Sequence, residues 1–241
     1  MISVIIPTLN EETNLPRLLT DLQPEETAHE IIVVDGGSRD DTERVAREHG
    51  VKVILTAPGR GLQLRRGAEP ATGDVLLFLH ADCRFPGGGL ARIEAVLSAS
   101  PRVVGGNFRL VFDGSDGFSR WLTGFYAWFR GRGLYYGDSG VFVRREVYDA
   151  IGGVRPIALM EDFDFTRRLE RFGPTCCIDD PPLITSSRRF EGRHPIRIFW
   201  GWFKIHALYY LSVPPERLAR IYDGDRSSDV PAAATRAKRA P

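Results

Sequence analysis

Over its first eighty residues the chain alternates short runs that are apolar throughout with longer stretches of mixed character. The runs at 2–6, 30–34, 52–55 and 74–79 are rich in Val, Ile and Leu, and short enough to be buried parallel strands. Between them, 12–22, 38–49 and 61–71 have helical length. Ser38 with Asp41 three residues on reads as a capping box, and Gly50 as a helix stop. Strand and helix in regular alternation predict right-handed βαβ units. The fold class is therefore α/β: a Rossmann-like, mostly parallel sheet with helices on both faces.

The second half is less regular. Residues 101–112 and 140–143 read as further strands, and 161–172 as a helix closed by Gly173 and Pro174. Between the strands, Phe118, Trp121, Leu122, Phe125, Trp128 and Phe129 recur at helical spacing. Such a stripe is core first, and where exposed it offers aromatic faces for binding. The segment 195–213 is apolar nearly all round, broken by Arg197, Lys204 and His206. Its three fates, in order, are packing on the rest of the chain, a homodimer interface, or peripheral membrane contact with Trp200, Trp202 and Lys204 at headgroup depth. No uncharged apolar run reaches about 18 residues, so no spanning helix is expected. The expected organisation is a main domain over 1–185, in halves 1–112 and 113–185, a helical segment over 186–223 and a disordered basic tail over 224–241.

Composition narrows this picture. A chain of 241 residues can bury roughly 70% of its unfolded surface, and 43% apolar with 26% charged residues is ordinary globular usage. Thirty-two basic against 31 acidic residues give a net charge of +1, which argues against a surface built for nucleic acid. Cys83, Cys176 and Cys177 have neither metal spacing nor a disulfide framework, which points to a reducing, cytoplasmic setting. The opening MISVIIPTLNEE reads as a strand rather than a signal peptide.

In an open parallel sheet, ligands bind beyond the carboxyl ends of the strands. After the first strand come Pro7, Thr8, Leu9, Asn10, Glu11 and Glu12; after the second, Asp35, Gly36, Gly37 and Ser38; after the fourth, His80, Ala81 and Asp82. Each set alone reads as a turn or a cap. Three on one edge read as a site. Asp35 suits a base or ribose, and its glycines admit a ligand close to the backbone. The G-x-G-x-x-G fingerprint is missing after the first strand, which disfavours a nicotinamide enzyme. Arg60, Gly61, Leu62 and Gln63 open the third helix, where a basic loop suits phosphate or is simply a solvated basic face. His80 and Asp82 project to one side and suit a divalent metal on a diphosphate. Glu161 and Asp162 start a helix, either for the macrodipole or as a general base.

With these pieces in order, the chain resembles the family 2 glycosyltransferases of GT-A fold. The matching stretches are IIPTLNEE, VVDGGSRDDT, GRGLQLRRGA, TGDVLLFLHAD, GDSGVFVRREVYDAIGG and LMEDFDFTRRL, covering roughly residues 1–173. SSRRFE and PPERLARIY are also similar to a short bacterial subgroup annotated for arsenosugar biosynthesis. The resemblance implies a nucleotide-sugar donor. Pro7, Thr8, Asn10, Glu11 and Asp35 would hold the nucleoside, with Gly36, Arg60, Gly61, Gln63 and Ala81 in the same binding set. The family's D-x-D motif reads His80-Ala81-Asp82 here, so Asp82 is the better-matched ligand for Mn²⁺ or Mg²⁺. His80 removes one negative charge, which makes metal dependence uncertain. The E-D motif matches Glu161-Asp162, with Asp162 as catalytic base and Glu161 in support.

On this resemblance 1–185 is the catalytic domain, with 1–112 its nucleotide-binding half and 113–185 its acceptor half. Tyr136, Gly137 and Asp138, with any exposed part of the aromatic stripe, would line the acceptor pocket, since aromatic rings stack on sugars and cover apolar groups, and Arg189 or His194 could close over the diphosphate. A Q-x-x-R-W motif of processive relatives is absent, with Phe190 where Trp would stand, so a single transfer is expected. The implied reaction is an inverting transfer from a UDP-sugar, or a GDP-sugar, to a small-molecule or lipid-linked hydroxyl. The alternatives are a sugar nucleotidyltransferase and a catalytically impaired nucleotide-sugar-binding protein. The expected setting is cytoplasmic, with possible contact at the inner membrane face.

Overall fold

The computed structural model describes residues 1–190 and 194–229, apart from some side chains that include that of Arg189. In chain order the elements are β1 (Ile2–Thr8), α1 (Leu15–Leu22), β2 (His29–Asp35), α2 (Thr42–Glu48), β3 (Lys52–Leu55), α3 (Arg60–Ala68), β4 (Val75–Phe78), β5 (Cys83–Arg84), α4 (Gly89–Ala99), β6 (Gly105–Phe112), α5 (Gly117–Arg130), a single 3-10 turn (Gly137–Ser139), β7 (Val141–Arg144), α6 (Arg145–Ala150), α7 (Glu161–Phe172), β8 (Thr175–Thr185), a second 3-10 turn (Arg188–Phe190), α8 (Pro195–Tyr210) and α9 (Pro215–Asp229). They form two compact units, one from 1–156 and 161–186, the other from 157–160 and the residues after 186.

The first unit is built on an eight-stranded sheet in the order β3-β2-β1-β4-β7-β6-β8-β5. Strands β3, β2, β1 and β4 are parallel, as the alternation predicts, and β6 and β8 run with them; β7 and β5 run the other way. Ile2, Val4, Ile5 and Ile6 have no exposed surface, so β1 is covered on both faces. One side of the sheet packs Ile5, Val34 and Phe78 against Leu64 and Ala68 of α3 and Phe165 and Leu169 of α7. Because β7 is antiparallel, it begins at the edge where β1, β2 and β4 end. The turn that leads into β7 therefore joins the loops following those strands.

β8 goes beyond the sequence pattern, because Asp179, Asp180, Pro181 and Pro182 interrupt it. The register explains how these residues are accommodated: Phe108 pairs with Ile178, Leu110 pairs with Leu183, and the prolines sit in the irregularity between. Prolines cannot donate to a ladder, and a bulge is where they are tolerated.

In the second unit α8 and α9 pack together, Ile198, Ile205 and Leu218 are buried, and Phe190 stands edge-on to Trp202 at 5.7 Å. α9 continues to Asp229, so helix extends past residue 223, where the sequence suggests a tail begins; residues 230–241 lie outside the described residues.

Candidate active site

β1 and β2 end side by side, with Thr8 opposite Asp35. The loops that follow are laced together. Asp35, buried, accepts hydrogen bonds from Thr8 Oγ1 (3.1 Å), Gly37 N (3.1 Å), Ser38 N (2.9 Å) and the Ser38 hydroxyl. Asn10 stands at φ 57; its N–H donates to Ser38 Oγ and its Oδ1 accepts from Arg39 N, both at 2.8 Å. Glu11 N donates to Thr42 Oγ1 (2.8 Å), Glu12 N to Asp40 Oδ2 (3.2 Å), and Asp41 N to Glu12 Oε2 (3.0 Å). Ser38 to Asp41 are thereby used between the loops. α2 starts at Thr42 instead of Ser38, and the capping box expected at Ser38 is not formed.

Gln63 reaches these strand ends from α3. It is buried, and its amide donates to Thr8 O and Val34 O at 2.8 Å each. The glycines of the DGGS stretch then divide their roles. A Cβ at Gly36 would lie 3.1 Å from the Gln63 side chain, whereas Gly37, at φ 86, has open space around it. Gly61 is buried in the first turn of α3, and Pro7 is only partly buried.

The acidic side of the site is assembled from three more segments. Gly59, at φ 143, precedes α3 and delivers Arg60, whose Nε donates to Glu161 and whose Nη2 lies 3.5 Å from Asp162 Oδ2. Asp162 Oδ2 also accepts from Gly137 N (3.1 Å), and its Oδ1 from Phe163 N (2.7 Å). A Cβ on Gly137 would meet Asp162 Cβ at 3.1 Å and His80 Nε2 at 3.3 Å, so His80 and Asp162 flank the same turn. Burial pushes the Glu161 carboxyl up despite Arg60. Burial acts the same way on Asp162, but the Arg60 charge, the Gly137 N–H and His80 hold it below the usual carboxylate range. Asp162 is thus an ionised acceptor with fixed orientation, and Glu161 its buried neighbour. Ala81 is buried, and Asp82 and His80 are partly exposed after β4.

Asp138 is buried in the same turn and accepts from Tyr126 OH at 3.4 Å. Next to it a ladder of near-parallel rings runs from α5: Phe118, Trp121, Phe125, Phe129 and Tyr136, with successive centroids 5.7, 5.2, 5.6 and 5.7 Å apart. Tyr136 is also 5.7 Å from Phe163, the residue after Asp162. The stripe is thus only partly core, and Trp121 and Trp128 are exposed. His194 lies in the second unit, exposed and just before α8, and the side chain of Arg189 lies outside the described residues.

Sequence reasoning missed Gly59 and Met160, whose left-handed φ values of 143 and 67 precede Arg60 and Glu161 directly. A non-glycine residue held at positive φ beside a site is strain in a functional place. It also missed Asp40 and Thr42 as loop ties; the polar run SRDDT was their signal.

Comparison with known proteins follows this geometry. The family model described as Glycosyl transferase family 2 matches residues 3–149. An uncharacterized glycosyltransferase of Mycobacterium tuberculosis is 33% identical over 111 residues, 46% of this chain and 50% of the relative. The 4,4'-diaponeurosporenoate glycosyltransferase of Staphylococcus haemolyticus is 40% identical over 89 residues, 34% of this chain and 24% of the relative. The chain thus spans about half the length of the first relative and less of the second. Among solved structures, a Pyrobaculum calidifontis mannosyltransferase in complex with GDP-Man and Mn²⁺ superposes with a TM-score of 0.63 at 20% identity, covering 98% of this chain and 78% of that one. Glucosyl-3-phosphoglycerate synthase from Mycobacterium tuberculosis, in complex with Mg²⁺ and UDP, gives 0.55 at 21%, covering 77% and 69%. Both likenesses show the shared GT-A-like fold.

Proposed function

This chain belongs to glycosyl transferase family 2, and from that premise we propose that it moves one sugar from a nucleoside-diphosphate sugar, a UDP-sugar in the first instance, to an acceptor hydroxyl with inversion. The observation that carries the proposal is Asp162, ionised, doubly anchored by backbone N–H groups and placed at the carboxyl edge beside His80 and Arg60. Asp162 takes the acceptor's hydroxyl proton as that oxygen attacks the anomeric carbon. The bond from that carbon to the diphosphate oxygen breaks on the opposite face, and the nucleoside diphosphate leaves with the bonding pair. No covalent enzyme intermediate forms. Arg60 stands next to the reacting groups as a fixed cation.

The laced loops at Asn10, Glu11 and Asp35 hold the nucleoside. Asp82 and His80 offer one carboxylate and one imidazole, and among the described residues no three His, Cys, Asp or Glu side chains cluster as a metal cage. Asp82 would supply the carboxylate oxygen by which Mg²⁺ or Mn²⁺ is held together with substrate phosphate, and the imidazole of His80 is a softer donor beside it. A bound ion would offset charge on the leaving diphosphate. The solved relatives named with UDP and Mg²⁺, or with GDP-Man and Mn²⁺, support this reading. Tyr136, Gly137, Asp138 and the ring ladder form the acceptor side, and a small-molecule or lipid-linked acceptor with an apolar portion suits those rings. Placement in the short arsenosugar subgroup rests on SSRRFE and PPERLARIY, and a cytoplasmic location on the free cysteines.

Calorimetric titration of UDP and GDP, each with Mn²⁺ and with EDTA, tests the donor class. Metal-dependent tightening for one nucleotide supports the reading. Binding of neither overturns it. Release of pyrophosphate from a sugar phosphate and a nucleoside triphosphate would instead identify a nucleotidyltransferase.

A further inference from the structure

Helix α8 has two apolar faces pointing in opposite directions. One carries Ile198 and Ile205, both buried. The other carries Ile196, Phe199, Trp200, Phe203, Tyr210 and Leu211, exposed by 46 to 75%. At about 100° per residue, these six lie within an arc of about 120° opposite Ile205. Ordinary surfaces scatter such side chains singly, and a contiguous set on one helix face marks an interaction surface.

The charges of α8 choose the occupant. Arg197 and Lys204 are exposed, two turns apart, and both fall on one rim of the apolar arc. The helix contains no Asp or Glu. A second copy docked antiparallel about a two-fold axis would bring the two cationic rims of α8 together. An anionic lipid surface answers such a rim directly, with apolar rings entering the interface and cations meeting headgroups. At about 1.5 Å per residue, α8 is about 24 Å long, short of a hydrocarbon core of about 30 Å. Among the described residues no helix is long and apolar enough to cross a membrane. The helix would therefore lie flat.

We propose that the exposed face of α8 docks this chain on anionic lipid, with Phe199, Trp200, Phe203 and Tyr210 in the interface and Arg197 and Lys204 at the headgroups. The proposal stands apart from the transfer reading, because it needs neither donor nor acceptor.

The test is co-sedimentation of the full chain with phosphatidylcholine vesicles and with vesicles of phosphatidylcholine and phosphatidylglycerol at three to one. The parent chain should bind the anionic vesicles at least about tenfold more tightly than the neutral ones. Trp200→Ser with Phe203→Ser should weaken that binding about tenfold or more, and Arg197→Glu with Lys204→Glu should abolish the preference for anionic lipid. All four side chains are exposed, so both variants should keep the parent's circular dichroism and UDP affinity. The UDP titration also separates this proposal from the transfer reading. Failure of the parent chain to bind either vesicle overturns the proposal, and so does unchanged binding by the serine variant. A parent dimer in sedimentation velocity that the serine variant dissociates, with no vesicle binding, gives the face to a second copy and overturns it as well.

Discussion

Arg60 touches both carboxylates at the start of α7: its Nε donates to Glu161, and its Nη2 stands 3.5 Å from Asp162 Oδ2. Arg60 and Glu161 are 101 residues apart in sequence. One guanidinium faces both acids: it helps to hold Asp162 below the usual carboxylate range, whereas burial pushes Glu161 up despite it.

Asp162→Asn removes the proton acceptor while keeping the shape and one oxygen for the Gly137 N–H. Turnover should drop by about 10²-fold or more, with UDP affinity little changed. Steady-state kinetics beside a nucleotide titration reads this. Near-normal turnover would remove Asp162 from the role of base.

Arg60→Gln takes away the cation that lowers Asp162. In the parent, Asp162 has a depressed pKa, so it stays ionised at neutral pH and the acid limb of kcat/KM lies below the ordinary carboxylate range. In the variant that limb should move to higher pH. Stability follows the same sign. A carboxyl depressed on folding stabilises at neutral pH and loses that contribution as pH falls through its folded value. The variant's deficit in Tm should therefore be large near pH 7 and shrink on acidification. An unmoved acid limb argues against the pairing.

Gly137→Ala presses a methyl against Asp162 and His80, since a Cβ there would stand 3.1 Å from Asp162 Cβ and 3.3 Å from His80 Nε2. Displacing a positioned base by even part of an ångström reduces rate strongly. We expect kcat to fall about tenfold or more with Tm nearly unchanged; the opposite pattern, intact kcat and a lowered Tm, would make the turn a purely structural element.

His80→Asp restores a second carboxylate beside Asp82. If these residues bind the ion, added ligand charge should tighten Mn²⁺ in the presence of UDP by about tenfold. Calorimetry in matched buffers reads the change, and equal affinity in both proteins would detach the ion from this pair.

Gly67→Ala probes the core. Its Cβ would come within 2.5 Å of Ile5 Cγ2 and 2.9 Å of Val34 Cγ2, where α3 lies on the sheet. Overpacking of this kind costs about 1–3 kcal/mol. Chemical denaturation should show that loss without a change in UDP affinity per folded molecule.

The first four strands were legible because burial on both faces makes them continuous apolar runs, as at 2–6 and 30–34. Site segments after β1, β2 and β4 were legible for the same reason, since each follows a strand whose end is marked by a sudden polar run. Helix α4 is not among the elements the pattern predicts; three glycines, 87–89, stand at its start, and Gly88, at φ 76, leads into a helix burying Leu90, Ile93 and Leu97. Arg60 reads in the sequence as part of a phosphate-binding loop or a solvated basic face; its pairing with Glu161 exists only once α3 and α7 are packed. Gln63 stands in the expected binding set, and the structure adds what the sequence did not show, that its amide donates to the Thr8 and Val34 carbonyls. Local pattern reports burial and direction; it does not report which distant group will meet a side chain.

The ring ladder of α5 and the exposed face of α8 have an optical consequence. The chain's four tryptophans are Trp121, Trp128, Trp200 and Trp202, so all of its indole emission originates on these two helices. None stands among the laced loops or beside Asp162. Its indole emission therefore reports first on whatever covers those rings. A single cuvette can follow occupancy of the aromatic surfaces without label or mutation.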